Sequence, residues 1–291
     1  MFFGSIPALV TPFSGGRVAT DTFCEFVEWQ IAEGSDALVP CGTTGEVATL
    51  NADEHREVIA AAVRVAKGRV PVIAGCGTYS TAASIERARA AADLGADAAL
   101  IVVPYYNKPS QAGLAAHFRA IADASPLPIV VYNVPSRTVA DISVETLAGI
   151  AQHPKIVAVK DATGNLGRVT AQRLACGTDF IQLSGNDDMA LAFNAMGGVG
   201  CISVTANVAP RLCSDFQKAM REGLWDDALA LQDRLYPLHA ALFSDASPAP
   251  TKYALSRVRP GFPSELRLPL VEASDASKQA VDHALGHAGL I

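Results

Sequence analysis

Lys160 stands where a lysine is least expected. It closes the apolar run Ile156-Val157-Ala158-Val159 in the segment KIVAVKDATGN, and Asp161-Ala162-Thr163-Gly164-Asn165 then turns the chain. A parallel strand covered on both faces reads as a near-continuous apolar run, so an ammonium at its end calls for a purpose. An amine shielded from water at the rim of a protein interior favours its neutral form. A neutral amine attacks a keto carbonyl and forms a Schiff base, and the protonated imine draws electrons from the adjacent carbon. By itself, a strand-end lysine also reads as an exposed cation in a surface ion pair.

Other groups fit the same chemistry. Tyr132 closes the preceding apolar run and would be a lateral neighbour of Lys160. A phenol beside an imine can relay protons if further hydroxyls pass them on, and Thr43 in CGTTGE and Tyr106 in PYYNKPS can do so. A single buried tyrosine also reads as core packing. In GTTG, Gly42 and Gly45 allow close backbone approach, and the N–H groups of Thr43 and Thr44 can hold a carboxylate. Many such loops are merely turns. Arg137 in VPSRT offers a planar fork for a second carboxylate, or is a solvated surface arginine.

These segments must be positioned by something. Short apolar runs at 6–10, 37–40, 70–74, 98–103, 129–132, 156–160, 180–183 and 200–203 alternate with amphipathic stretches near 21–33, 53–67, 81–94, 111–124, 143–152, 165–175 and 187–196. Eight strands alternating with helices predict an α/β fold, a closed (β/α)8 TIM barrel, in which active groups sit on the loops at the strand C-terminal ends. No G-x-G-x-x-G follows the first strand, against an open dinucleotide-binding sheet. The barrel is expected over 1–206 and carries the active site. A C-terminal helical extension over 207–291 is expected to pack on it.

The bulk properties agree. Half of the 291 residues are hydrophobic, the net charge is −6 and no Lys/Arg cluster stands out, which argues against a nucleic-acid partner. No run of about 18 apolar residues predicts a membrane span. The apolar N-terminus lacks a basic n-region and is broken by prolines, so it reads as a strand and not a signal peptide. The six cysteines (24, 41, 76, 176, 201, 213) are scattered without a C-x-x-C pair, as reduced thiols of a cytoplasmic protein would be.

GTTGE, PYYNKPSQ, YNVPSRT and KDATGN, in this order at predicted strand ends, resemble the dihydrodipicolinate synthase family of the pyruvate-dependent class I aldolase superfamily. The similarity runs from GSIPALVTPF through ISVTANVAPR and RLYPLHAALF to the final HAGLI. GTTGE and the strand-end lysine mark the superfamily; YNVPSRT, with its arginine, is the more discriminating motif. The resemblance implies condensation of pyruvate with L-aspartate 4-semialdehyde to 4-hydroxy-tetrahydrodipicolinate, on the way to diaminopimelate and lysine, with no metal or organic cofactor. It implies that Lys160 forms the Schiff base with pyruvate and that Tyr132, Thr43 and Tyr106 form the proton relay, Tyr106 reaching into a neighbouring subunit's site. Thr44 and adjacent amides would bind the pyruvate carboxylate, Arg137 the aldehyde's carboxylate, and Gly185 and Ile202 would line the lysine pocket through their carbonyls. A homo-oligomer is implied, a tetramer built as a dimer of dimers.

Rivals within the superfamily are N-acetylneuraminate lyase, keto-deoxy-sugar aldolases and hydroxy-oxoglutarate aldolase; outside it, a non-catalytic keto-acid sensor or a phosphate-binding barrel. The sequence also departs from the family pattern. Asp161 stands where glutamate is more frequent, and Asn186 where aspartate is. At the site where many bacterial members bind lysine as an inhibitor, His55 and Tyr105 remain as contacts. Ala52, Tyr79 and Ala83 replace polar partners of the ligand there. A zwitterion buried without partners is costly, so weak or absent inhibition by lysine is expected.

Overall fold

In the computed structural model, which describes residues 2–291, the apolar runs become parallel strands around a filled lumen. They are β1 (Gly4–Pro7), β4 (Ile73–Gly75), β5 (Ala98–Val102), β6 (Ile129–Asn133), β7 (Ile156–Asp161), β8 (Ile181–Ser184) and β9 (Gly200–Ser203), with a small hairpin, β2 (Phe13–Ser14) and β3 (Arg17–Val18), beside them. The sheet order is β1-β9-β8-β7-β6-β5-β4. The predicted strand at 37–40 closes the circle through two bridges only, Ala8 to Val39 and Leu38 to Val72. Prolines explain the reduction: Pro7, Pro40 and Pro71 withhold N–H groups from this seam, yet each carbonyl there accepts a bond, from Val39, Gly75 and Leu38 respectively.

The first strand is displaced from the expected 6–10. Beyond the Ala8 bridge, the Asn207 side chain takes over the pairing, accepting from the Val10 N–H at 2.9 Å and donating to the Ala8 carbonyl at 2.8 Å. The hairpin was not expected. Its signal is Gly15-Gly16, which supplies two residues of positive φ (58° and 77°) for a two-residue turn. Their N–H groups donate to the Glu265 carboxylate at 2.8 and 2.7 Å.

A ring of helices covers the strands: α1 (Thr20–Ala32), α2 (Ala52–Ala66), α3 (Thr81–Asp93), α4 (Gln111–Ala124), the single turn α5 (Pro135–Thr138), α6 (Val144–Ala151), α7 (Gly167–Cys176), α8 (Ala190–Ala195) and α9 (Pro210–Glu222). Local chemistry sets their starts. Asn51 and Glu54 form a capping box on α2, and Ser80, Ser110 and Ser143 accept N–H bonds at the starts of α3, α4 and α6. Gly223 ends α9 in the left-handed region, and α10 (Trp225–Ala241), α11 (Ala249–Val258) and α12 (Asp275–Ala288) follow. α9 packs on β1, α10 on α9 and α12, and α11 on α12. No helix is long and apolar enough to cross a membrane among the described residues.

Two apolar cores result. One lies between strands and helices; the other fills the lumen with Ile6, Ala8, Val39, Ile73, Leu100, Val130, Ala158, Leu183 and Ile202 among others. Side chains alternate between them with the period of two that a strand imposes. In β7 the register slips near its start, and from there Ala158 faces the lumen and Val159 the helices. Lys160, next in phase, must face the lumen again.

Candidate active site

The lumen-facing position of Lys160 falls at the C-terminal end of β7, where the residue is 6% exposed. Tyr132 is its register partner on β6 and belongs to the lumen cluster. The ammonium lies 4.2 Å from the centroid of the Tyr132 ring. None of the ion pairs among the described residues involves Lys160, so no carboxylate neutralises it. The surface-ion-pair reading of a strand-end lysine therefore fails.

Asp161, one residue on, turns the other way and organises the loop. It accepts from the Thr163 N–H (2.9 Å) and hydroxyl (2.6 Å), from Gln172 Nε2 (2.7 Å) and from Arg168 Nε (3.2 Å). Gly185 follows β8, and its N–H donates to the Asp161 carbonyl at 2.7 Å. A Cβ on Gly185 would stand 2.7 Å from that of Ala162, so only glycine lets the two loops approach this closely. Ile202, fully buried on β9, faces the same lumen.

The GTTGE loop is set between two left-handed residues, Cys41 (φ 56°) and Glu46 (φ 54°). Non-glycine residues hold such conformations only where their surroundings dictate them, commonly at functional sites. Inside the loop the Gly45 N–H donates to the Gly42 carbonyl and the Glu46 N–H to the Thr43 carbonyl, both at 3.1 Å. The N–H groups of Thr43 and Thr44 donate to no protein acceptor among the described residues. Thr44 is buried and Thr43 half-buried. Gly75 on β4 makes room beneath: a Cβ there would meet the Cys41 carbonyl oxygen.

Two expected residues stand apart. Arg137, on α5, is exposed and forms no ion pair among the described residues. Tyr106 is 92% exposed at φ 68°, so one protomer does not gather it with Lys160 and Tyr132. His55 and Tyr105, the expected remnants of a lysine site, are committed elsewhere. His55 Nε2 lies 2.8 Å from the Gly75 carbonyl, and burial pushes the imidazole towards its neutral form. The Tyr105 ring meets that of Tyr79 edge-on at 5.4 Å.

Sequence reasoning missed two groups. Asp187, buried after β8, accepts from the N–H groups of Val204 (2.8 Å) and Thr205 (3.2 Å) and from the Ser203 hydroxyl, tying down the loop after β9. A cavity of about 170 Å³ lies beside it, lined by Asn186, Asp188, Tyr236 and His239; Lys160 and Tyr132 do not line it. The second group is a buried pair of Glu46 with Lys252 of α11. Its signal is the lone lysine in the helix APTKYALSRV.

The six thiols are all free. Burial pushes Cys76 up to about 12, Cys41 further, and Cys201 well above its ordinary value, the last with Asp187 adding to the shift and the Lys160 charge opposing it. No three His, Cys, Asp or Glu side chains gather to hold a metal ion among the described residues.

Comparison with known proteins adds what geometry alone does not. A family model described as the dihydrodipicolinate synthetase family matches residues 1–288. A 4-hydroxy-tetrahydrodipicolinate synthase of Zymomonas mobilis is 65% identical over 291 residues, and one of Rhizorhabdus wittichii 63% over 290, each match covering all of both chains. Among solved structures, a dihydrodipicolinate synthase from Acinetobacter baumannii complexed with pyruvate superposes with a TM-score of 0.97 at 42% identity, again over all of both chains.

Proposed function

The chain belongs to the dihydrodipicolinate synthetase family, and we propose that its barrel mouth performs the condensation of pyruvate with L-aspartate 4-semialdehyde as follows. It is a lyase that forms 4-hydroxy-tetrahydrodipicolinate, the reading its full-length relatives support over the sugar-acid aldolases.

Lys160 Nζ attacks C2 of pyruvate, and one water leaves as the imine forms. The imine nitrogen then acts as electron sink while a proton leaves C3, giving an enamine. The enamine carbon attacks the aldehyde carbon of the second substrate, whose oxygen takes up a proton to become the 4-hydroxyl. Finally the substrate's own amine adds to C2 and displaces Lys160, closing the ring and restoring the free enzyme. The net balance is one pyruvate and one semialdehyde in, one ring and one water out.

The residues divide the work. Tyr132, beside the amine, moves protons to and from it; Thr43 carries them onward to Tyr106, which a second protomer supplies. The unpaired Thr43 and Thr44 N–H groups receive the pyruvate carboxylate, and the carbonyls of Gly185 and Ile202 line the amine's pocket. Arg137 meets the carboxylate of the semialdehyde at the mouth. The chemistry needs no metal or organic cofactor, and the enzyme works as a homotetramer, a dimer of dimers, in the cytoplasm.

The observation that carries this reading is an amine in an apolar lumen, on an aromatic face, with no carboxylate to hold its charge. Pyruvate plus borohydride should leave a reduced, covalent adduct on Lys160, located by peptide mass spectrometry. Unmodified Lys160 after such treatment would end the Schiff-base reading.

A further inference from the structure

Helix α11 reaches the GTTGE loop through an ion pair shut off from solvent. Lys252 Nζ lies 2.5 Å from Glu46 Oε1, with side chains 0% and 1% exposed. Oε1 takes this charge contact without a hydrogen bond of regular geometry. The ammonium also donates to the Glu265 carbonyl at 2.7 Å and rests 4.3 Å from the centroid of the Phe13 ring. Glu46 Oε2 accepts the Arg267 N–H at 3.1 Å, and the Arg267 guanidinium binds the Thr49 carbonyl at 2.9 Å and Glu54 Oε2 at 2.7 Å. One carboxylate at the end of the loop is thus gripped from two points of the C-terminal segment.

Peptide planarity carries that grip to the site. The Thr43 carbonyl and the Thr44 N–H are two ends of one rigid plane. The carbonyl end accepts the Glu46 N–H, so the place of Glu46 fixes where the Thr44 N–H points. The Gly42 carbonyl and Thr43 N–H share the next plane, anchored in the same way by the Gly45 N–H. Glu46 holds a left-handed conformation at φ 54°, which needs enforcement from outside the loop. Burying two charges so completely is a poor route to stability compared with apolar packing, which directs attention to geometry.

We infer that Lys252 is a positioning residue for pyruvate: by fixing Glu46 it sets the direction of the two amides that receive the carboxylate. The inference rests on the assignment of those amides made above. It names a residue that touches neither substrate and lies outside the barrel strands.

Steady-state kinetics of Lys252→Met and of the charge-free pair Glu46→Gln/Lys252→Met test it. Both should raise KM for pyruvate about tenfold, as small misplacements of binding groups do, while KM for the semialdehyde stays within about twofold. Lys252→Arg, which keeps the cation, should recover most of the pyruvate affinity. The double variant leaves no lone charge buried and should fold where the single one is damaged. A double variant that folds with the parental KM for pyruvate overturns the inference, as does a loss confined to kcat. Failure of both variants to fold would also overturn it, because the pair would then serve the fold. Borohydride labelling of the unmutated enzyme stands apart: its absence sinks the Schiff-base reading, whereas labelling with an unchanged KM in the variants sinks only the role of Lys252.

Discussion

Lys160 and Tyr132 are direct partners in the β6–β7 ladder, and the ammonium stands 4.2 Å from the centroid of the phenol ring. An aromatic face holds a cation by about 0.5–2 kcal/mol. No carboxylate among the described residues pairs with the amine, so the aromatic face is its partner there. Tyr132→Phe keeps the ring and removes only the hydroxyl. It should lower kcat by roughly a hundredfold, a usual loss for a proton-transfer group, yet leave borohydride trapping of pyruvate on Lys160 intact.

Tyr106, exposed at φ 68°, serves a neighbour in the proposed mechanism. Lys160→Ala and Tyr106→Ala should each be nearly inactive alone. Mixed assemblies of the two, made by co-expression with distinct tags, should regain activity, because one site then combines an intact Lys160 with a neighbour's intact Tyr106. If the tyrosine served its own subunit, the hybrids would stay dead.

Arg137 is exposed and uncommitted. Loss of its charge-assisted contacts, at about 1.5–3 kcal/mol, predicts that Arg137→Ala raises KM for the semialdehyde by roughly 10- to 150-fold while KM for pyruvate barely moves. Equal effects on both substrates would place the arginine elsewhere in the mechanism.

Free lysine should inhibit weakly or not at all. The Tyr79 ring is packed edge-on against Tyr105, His55 is bonded to the Gly75 carbonyl, and alanines occupy positions 52 and 83. An ammonium and a carboxylate entering there would meet few partners for the water they give up. Initial rates across a lysine series decide the matter, and half-maximal inhibition at submillimolar lysine would contradict it.

His117 makes acid stability a further test. Its Nδ1 lies 3.0 Å from the Thr81 hydroxyl, and burial lowers its pKa from 6.5 to about 4. The unfolded chain binds a proton here at a pH where the folded chain does not, so stability falls as pH drops through 6.5 and the loss ends near 4. At about pH 5 the loss amounts to about 2 kcal/mol. The fall in melting temperature between neutral and mildly acidic buffer should shrink in His117→Asn.

Much of this was legible in the sequence, for reasons particular residues show. Lys160 announced itself because a cation ended an apolar run; its face stayed hidden, because the slip near the start of β7 puts Ile156 among the helices and Ala158 in the lumen. GTTGE marked a loop through its glycines. The run at 37–40 was visible as apolar, but its reduction to two bridges depends on prolines from three separate segments. The Glu46–Lys252 pair and the Asp187 hub stayed hidden because no spacing rule couples residues from distant parts of a chain. Tyr106 showed its type and not its place, which is an exposed, left-handed position away from Lys160 in one protomer.

Sulfur is packed into the core between strands and helices, with Cys41 in the loop before GTTG, Cys76 just after β4 and Cys201 on β9. Oxidants and alkylating reagents act on thiolates, and Cys41, Cys76, Cys201 and Cys213 are buried with their protons held tightly. Only the half-buried Cys24 and Cys176 meet such reagents from solution. In the proposed mechanism the nucleophile at the mouth is then the Lys160 nitrogen and not a thiol, and a maleimide label on the surface should leave turnover of the keto acid unchanged.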